Sequence, residues 1–356
     1  MQGIGCAPHI RSTISFADHD APPGSPATAA TLVVWPDMLP ASPRHCKYDD
    51  SRQYDDSRRQ SENSSAGELI QGRALDRVWG FMQIPFARTK GGAMEAEVII
   101  EKKNGIGRIT FNRPHIKNAL TPPMLGQVMD AIARFDKDDD VRVLLFSGAG
   151  GSFTSGGDLS FLRDMSGKKP FEIKRTVYTY FAGTAKAIKL CSKPTIAAVA
   201  GPAVGAGCEY AIVCDFRIAG ESAMFCETWA NLGLIAPLGG MFLLPRIIGL
   251  GRATDMLLRG TRVYAEEALR IGLVTQVVPD AELDQAAMKL AAELAEGPPL
   301  AYTSLKEGLR RGMESNLNAE WEFNLYAQAM LINSDDYTEA TTAGKEKRRP
   351  KFKGKR

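Results

Sequence analysis

Apolar and polar residues alternate through EVIIEKKNGIGRITF, from Glu97 to Phe111, on both sides of an Asn-Gly pair. This period-two pattern predicts two strands joined by a tight turn. In TPPMLGQVMDAIARFDKDDD the period changes: Met124, Val128, Ile132 and Phe135 recur at helical spacing, behind Thr121 as N-cap and two prolines in the first turn. VRVLLFSG then reads as a short buried strand that ends in glycine, and a helical stretch from about Phe171 to Leu190 leads into the strand TIAAVAG. FRIAG and SAMF add further strands. Strands alternating with helices predict an α/β fold with largely buried sheets. From about Gly260 the spacing turns helical, in AEEALRIGL, DQAAMKLAAELAEG and NAEWEFNLYAQAMLINS.

Before Met94 no periodicity is sustained. APPGSPATAA, the near-repeat YDDSRQ/YDDSRR and SENSSAGE have the composition of a disordered segment, and no basic start followed by an apolar core marks a secretory signal. The expected organisation is an N-terminal extension over 1–93, a core over 94–259 and a C-terminal helical region over 260–356. Met94 reads as the start of the folded part, with the preceding residues either a tail or an over-extended reading frame.

Composition narrows the chemistry. The chain has 356 residues, 44% of them hydrophobic, which suffices for one or two full cores, and its net charge of +3 is too slight to indicate a nucleic-acid partner. The cysteines Cys6, Cys46, Cys191, Cys208, Cys214 and Cys226 form no C-x-x-C pair and no disulfide framework, as expected of a reducing, cytoplasmic setting. Thr228 to Pro245, the longest uncharged run, holds two prolines and three glycines and does not read as a membrane span. Of four histidines only His115 follows Met94, so a Ser-His-Asp triad would have to use it, and no cluster has metal-ligand spacing. There is no phosphate-binding loop and no G-x-G-x-x-G after a strand.

Two glycine-rich turns follow strands: SGAGGSFTSGGDL (Ser147 to Leu159) and AGPAVGAGCEYA (Ala200 to Ala211). Glycine permits close backbone approach, and a helix starting at such a turn points free N–H groups outward. Each alone is an ordinary tight turn; two brought together can hold one oxygen between two donors. Between Lys193 and Asp215 the only carboxylate is Glu209, set among glycines, alanines and apolar residues. It either reaches the surface, pairs with a distant cation, or is a buried acid with a perturbed pKa suited to proton transfer.

NRPHIKNAL (Asn112 to Leu120), FTSGGDL (Phe153 to Leu159), KPTIAAVAGPAVGAGCEYAIVCDFRIA (Lys193 to Ala219) and EALRIGLVTQVVP (Glu267 to Pro279) resemble, in order, the signatures of the enoyl-CoA hydratase/isomerase, or crotonase, family. The resemblance covers Met94 to Arg356. It implies a spiral of ββα turns, a C-terminal helical region that builds homotrimers or hexamers, and acyl-CoA thioester substrates, with coenzyme A part of the substrate and no separate cofactor. It also implies a shared chemistry in which two backbone N–H groups hold the enolate oxygen of the thioester. By the same resemblance these donors fall on Gly157 and Ala206, and Ile116, Lys117 and Ser155 lie along the coenzyme A site, although Lys117 also reads as a solvated lysine.

Glu209 takes the place of the first of two acid/base glutamates of hydratases. The second place is held by Trp229, which cannot transfer a proton. Glu227, two residues earlier, shares a face with Trp229 if the chain is extended there and can then substitute; if a helix has begun, it instead caps that helix. Trp229 either fills core or packs against a flat acyl group. Aromatic-acyl dehalogenases of the family are similar in carrying tryptophan here, but their nucleophilic aspartate falls on Pro237, as does the acid of dienoyl-CoA isomerases. Hydratase activity comes first, double-bond isomerase second, and hydrolysis or ring cleavage of a bulkier thioester third. The tail KEKRRPKFKGKR, with eight basic residues, reads as lying near the coenzyme A phosphates, with RNA binding or a non-catalytic role as minor alternatives.

Overall fold

The computed structural model describes residues 96–355; the expectation for the segment 1–93 lies outside them. β1 (Val98–Lys103) and β2 (Ile106–Phe111) form the expected antiparallel hairpin, with Asn104 and Gly105 both at positive φ in its turn. The chain continues through a 3-10 turn (Pro114–Ile116), α1 (Pro122–Lys137), β3 (Val143–Gly148), α2 (Leu159–Met165) and α3 (Pro170–Thr176). A π-helical turn (Val177–Ala182) joins α3 to α4 (Gly183–Leu190), so the helix expected from Phe171 to Leu190 is present with one bulge in it. Then come β4 (Thr195–Val199), β5 (Pro202–Val204), α5 (Ala206–Val213), β6 (Phe216–Gly220), β7 (Met224–Cys226) and a second 3-10 turn (Thr228–Leu232). The remainder is α6 (Gly240–Ile248), α7 (Leu250–Arg259), β8 (Val263–Tyr264), α8 (Ala265–Arg270), β9 (Gln276–Val278), a short 3-10 turn (Asp280–Glu282), α9 (Leu283–Ala295), α10 (Pro299–Gly312), α11 (Leu317–Ile332) and α12 (Asp335–Lys345).

A six-stranded sheet has the order β1-β2-β3-β4-β6-β9 and is parallel beyond the hairpin. Its alternate residues face opposite layers, as strand geometry requires. Val143, Leu145, Ile196 and Ile218 pack with Leu283, Ala287 and Ala291 of α9. Leu144, Phe146, Ala197 and Val199 face the larger core, which includes Met124, Val128, Ile132 and Phe135 of α1. Thr121 caps α1, accepting from the Met124 N–H at 3.4 Å.

A smaller sheet, β5-β7-β8, stands apart from the first. Isolated parallel bridges, Thr154 with Ala203 and Leu120 with Gly157, extend it toward the 3-10 turn at Pro114–Ile116. The region after Gly260 is mostly helical, but β8 and β9 complete the two sheets and α9 covers one face of the larger. Strand pairing and the core therefore continue past residue 260.

Arg217 of β6 is buried and holds α5 in place. Its Nη1 donates to the Cys214 carbonyl at 2.6 Å, just past the C-terminus of α5, and its Nε donates to the Leu273 carbonyl at 2.7 Å. Arg217→Met leaves these carbonyls buried without a donor, and each orphaned group costs about 1–3 kcal/mol. The variant is expected to lose about 2–4 kcal/mol in denaturant unfolding; a loss below about 0.5 kcal/mol would contradict the role.

Candidate active site

Three parallel segments fix the site by register. Thr154 pairs with Ala203, and Ala203 pairs with Phe225. Counting forward from that row, Gly157 falls level with Ala206, and Glu227 falls level with Gly205, whose N–H donates to the Cys226 carbonyl at 2.8 Å. The two expected oxyanion donors and a carboxylate thus lie on neighbouring tracks. Ala206 is the first residue of α5, so its N–H has no carbonyl one turn back within the helix; the first such bond runs from the Glu209 N–H to the Gly205 carbonyl at 3.0 Å. At the bridge Leu120 donates to the Gly156 carbonyl and accepts from the Asp158 N–H, which turns the Gly157 N–H to the opposite side. The glycines are required here. Gly156 has φ +90° and a Cβ on it would meet the Val204 carbonyl oxygen at 2.6 Å; a Cβ on Gly207 would meet the Thr154 carbonyl oxygen at 2.6 Å.

Asn118 and Thr154 hold the first glycine-rich turn against the segment Arg113 to Asn118. Asn118 is fully buried at φ +56°, and its Nδ2 donates to the carbonyls of Ala149 and Ser152 at 2.9 and 2.7 Å while its Oδ1 accepts from the Arg113 N–H at 2.8 Å. Thr154 Oγ1 donates to the Asn118 carbonyl at 2.7 Å and accepts from the Gly156 N–H at 3.1 Å. Sequence reasoning missed both residues. The signal available was an asparagine next to a glycine-rich loop, which by itself reads only as a turn residue. Ile116, Lys117 and Ser155 are brought together one step away. The Ser155 N–H donates to the Lys117 carbonyl at 2.8 Å, and the Lys117 side chain is exposed.

Glu209 neither reaches the surface nor pairs with a cation: it is fully buried. Its Oε1 accepts from the N–H groups of Leu238 and Gly240, both at 2.8 Å. Gly240 must be glycine for this contact, since a Cβ there would stand 2.9 Å from Oε1. Pro237 is exposed and directly precedes Leu238, so its loop supports Glu209 from behind. Burial pushes the Glu209 carboxyl up from 4.5 to about 7, against the two backbone donors and the Trp229 indole, which favour its charge.

Glu227 follows β7 at φ −97° and ψ 81°, which is neither helical nor regular extended backbone, and is also fully buried. Its side chain makes no cap bond to the 3-10 turn that follows. It faces Glu209 instead, and burial, then the Glu209 charge, drive its pKa well above the ordinary carboxylate range; Cys208 and Trp229 oppose the shift. Trp229, half-buried, shares this face. Glu209 Oε2, both Glu227 oxygens and the Trp229 Nε1 are buried and lack hydrogen bonds of ordinary geometry. Five of the residues singled out from the sequence, Gly157, Ala206, Glu209, Glu227 and Trp229, therefore converge on one small region. Two buried carboxyls, one of them perturbed by the charge of the other, beside a pair of N–H donors are an arrangement able to transfer protons.

The fold thus brings two buried carboxyls close to the tracks that carry Gly157 and Ala206. The profile of the enoyl-CoA hydratase/isomerase family matches residues 101–355, and the chain belongs to that family. It is 34% identical to the short-chain-enoyl-CoA hydratase of Clostridium acetobutylicum over 71% of this chain and 95% of that one. It is 33% identical to the 1,2-epoxyphenylacetyl-CoA isomerase of Escherichia coli over 72% and 98%. Among solved structures, enoyl-CoA hydratase from Bacillus anthracis superposes with a TM-score of 0.69 at 31% identity, covering 73% of this chain and all of that one. The crotonase fold expected from the sequence is thus the observed one, and the chain is an enzyme of the hydratase/isomerase type.

Burial of ionised Glu209 opposes folding. The penalty is absent below pH 4.5, grows as pH rises from 4.5 to about 7, and is full above that. Glu209→Gln keeps an acceptor for the Leu238 and Gly240 N–H groups and never carries the charge. It is expected to be more stable than wild type at pH 8, by up to about 3 kcal/mol, with the gain shrinking toward pH 5. Thermal unfolding at the two pH values checks this; an equal difference at both would contradict the buried charge.

Proposed function

We propose that this enzyme adds water across the double bond of 2-enoyl-CoA thioesters without a separate cofactor. The observation that carries the proposal is the juxtaposition of Glu209 and Glu227 beside the Gly157 and Ala206 N–H groups. A hydratase needs a base for the water and an acid for the α-carbon, and the relocated carboxyl at Glu227 supplies the group that Trp229 cannot. The surroundings of the two carboxyls support a division of roles. Glu227, buried against the Glu209 charge and so biased toward its protonated form, is assigned as the acid, while Glu209, with one oxygen anchored by two N–H groups, is assigned as the base. Glu209 takes a proton from water as the hydroxyl adds to the β-carbon. The thioester oxygen becomes an enolate held by the N–H groups of Gly157 and Ala206, and collapse of the enolate takes the Glu227 proton onto the α-carbon. One proton then passes from Glu209 to Glu227, which restores the resting pair. Each N–H donor contributes roughly 100- to 1,000-fold in rate.

The second reading is an enoyl-CoA double-bond isomerase, in which one carboxyl removes and returns a proton. It is favoured by the isomerase names of some relatives, among them the trans-2-decenoyl-[acyl-carrier-protein] isomerase of Streptococcus mutans at 30% identity. Ile116, Lys117 and Ser155 are proposed to line the coenzyme A site, with Trp229 and Pro237 near the acyl group. The four described cysteines are buried and free, in keeping with a cytoplasmic setting, and no helix among the described residues is long and apolar enough to cross a membrane.

A panel of 2-enoyl- and 3-enoyl-CoA thioesters separates the readings. Hydration is expected in wild type, with kcat/KM falling below about pH 7 as Glu209 becomes protonated. Glu209→Gln and Glu227→Gln are each expected to lose about 100- to 10,000-fold. Isomerisation that depends on Glu209 alone would favour the second reading, and no turnover of any member would sink both.

A homotrimer, or a hexamer of paired trimers, is the proposed assembly. Leu305 and Leu309 of α10 and Leu325, Tyr326 and Met330 of α11 are all more than half exposed in the single chain, more apolar surface than a monomer ordinarily presents. Light scattering is expected to give three or six chain masses, and Leu309→Asp with Leu325→Asp to give smaller species. A wild-type monomer would contradict the assembly.

A further inference from the structure

Counting donors and acceptors in the site leaves one residue without an explanation. Three buried carboxyl oxygens, Glu209 Oε2 and Glu227 Oε1 and Oε2, and one buried donor, the Trp229 Nε1–H, make no hydrogen bond of ordinary geometry, although the indole lies near enough to both carboxyls to favour their charged forms. Tryptophan N–H groups usually find an acceptor when buried. This indole is held from two sides. Its backbone carbonyl accepts from the Leu234 N–H at 2.9 Å, and its Cε2 and Cζ2 atoms lie 3.6 Å from the place a Cβ on Gly205 would occupy. Cε2 is bonded to Nε1, so the donor edge of the ring lies over the backbone that leads into the Ala206 N–H.

One N–H cannot serve two carboxyls. When one carboxyl of the pair is protonated and the other charged, the N–H goes to the charged one, because a hydrogen bond to an ionised acceptor is roughly twice as strong as a neutral one. We infer that Trp229 is a positioning residue: its indole N–H donates to the ionised Glu209 carboxylate, fixes the direction of its free lone pairs, and keeps the base distinct from the acid at Glu227. The tryptophan at the second glutamate's usual place then has a part in the chemistry, by holding the first glutamate in its charged form. This deepens the hydratase reading and rests on it for the kinetic part of the test.

The elements packed around the indole carry few groups able to mimic the effect. Cys208 and Tyr210 on α5 are held well above their ordinary values by burial, and Cys226 on β7 is pushed up to about 11, so none titrates near neutrality. α7, which packs on the Trp229 turn, carries Arg252 and Asp255, the latter paired with Arg259 at the surface, and Arg262 follows its end. Glu209 and Glu227 remain.

Two measurements decide the point. In the full-length protein labelled with indole-15N tryptophan, the Trp229 resonance is identified against those of Trp35, Trp79 and Trp321 by single Trp→Phe variants. It is expected to move with an apparent pKa near 7 in wild type and to stay flat in Glu209→Gln. A resonance that stays flat in wild type between pH 5 and 9 overturns the inference. In Trp229→Phe, which keeps a ring and loses the donor, the acidic limb of kcat/KM for hydration is expected to move up by about one pH unit, with KM changed less than about threefold. An unmoved limb with a large change in KM makes Trp229 only a wall of the pocket and also overturns it. A titrating resonance without hydration of any thioester supports the hydrogen bond and removes the hydratase reading.

Discussion

The site depends on one constraint, the parallel pairing that sets Thr154, Ala203 and Phe225 in a single row. From that row the chain reaches Gly157, Ala206 and Glu227 within three residues on each track, so the N–H donors and a carboxyl arrive side by side without long loops to position them. The pairing is possible only because side chains are missing where the tracks touch. Gly156 and Gly207 each place backbone where a Cβ would overlap a carbonyl oxygen, and Asn118 and Thr154 bind the first glycine-rich turn to the segment before it. The backbone is fixed before substrate arrives, which is what electrostatic stabilisation of an oxyanion requires.

The same tight packing strips water from two carboxyls. Glu209 has one oxygen held by two backbone N–H groups, while Glu227 has only the weaker support of Cys208 and Trp229 and lies against the first charge. On the proposed hydratase reading, two chemically identical groups divide into acid and base through their environments. Folding accepts an unfavourable buried charge at this point, and the rest of the core, including Arg217 at the end of α5, holds it there.

How much of this was legible in the sequence varied with how local its cause was. Glu209 stood out because one charge in an apolar run has few structural uses, and the two glycine-rich turns stood out because each follows a strand, while the donors within them, Gly157 and Ala206, were implied by the family resemblance. The hairpin and α1 were written in clear periods. Glu227 was undecided because its direction depends on whether the chain after β7 is extended, a matter of one residue's φ and ψ. β5, only three residues beginning with proline, gave no period to read, and β8 and β9 were hidden by the helical texture around them. Asn118 has the look of a surface turn residue, and its burial follows from contacts with residues 31 to 35 positions away. The contact of α9 with the large sheet is likewise invisible until the strand order is known.

The most direct test of the account is hydration of a short 2-enoyl-CoA by Glu209→Gln, Glu227→Gln and the double variant, compared at one pH. Groups that act as a unit are strongly non-additive, so each single loss is expected to come within about tenfold of the double loss. A Glu227→Gln enzyme that hydrates at the wild-type rate would contradict the paired-carboxyl account, whatever the other two variants do.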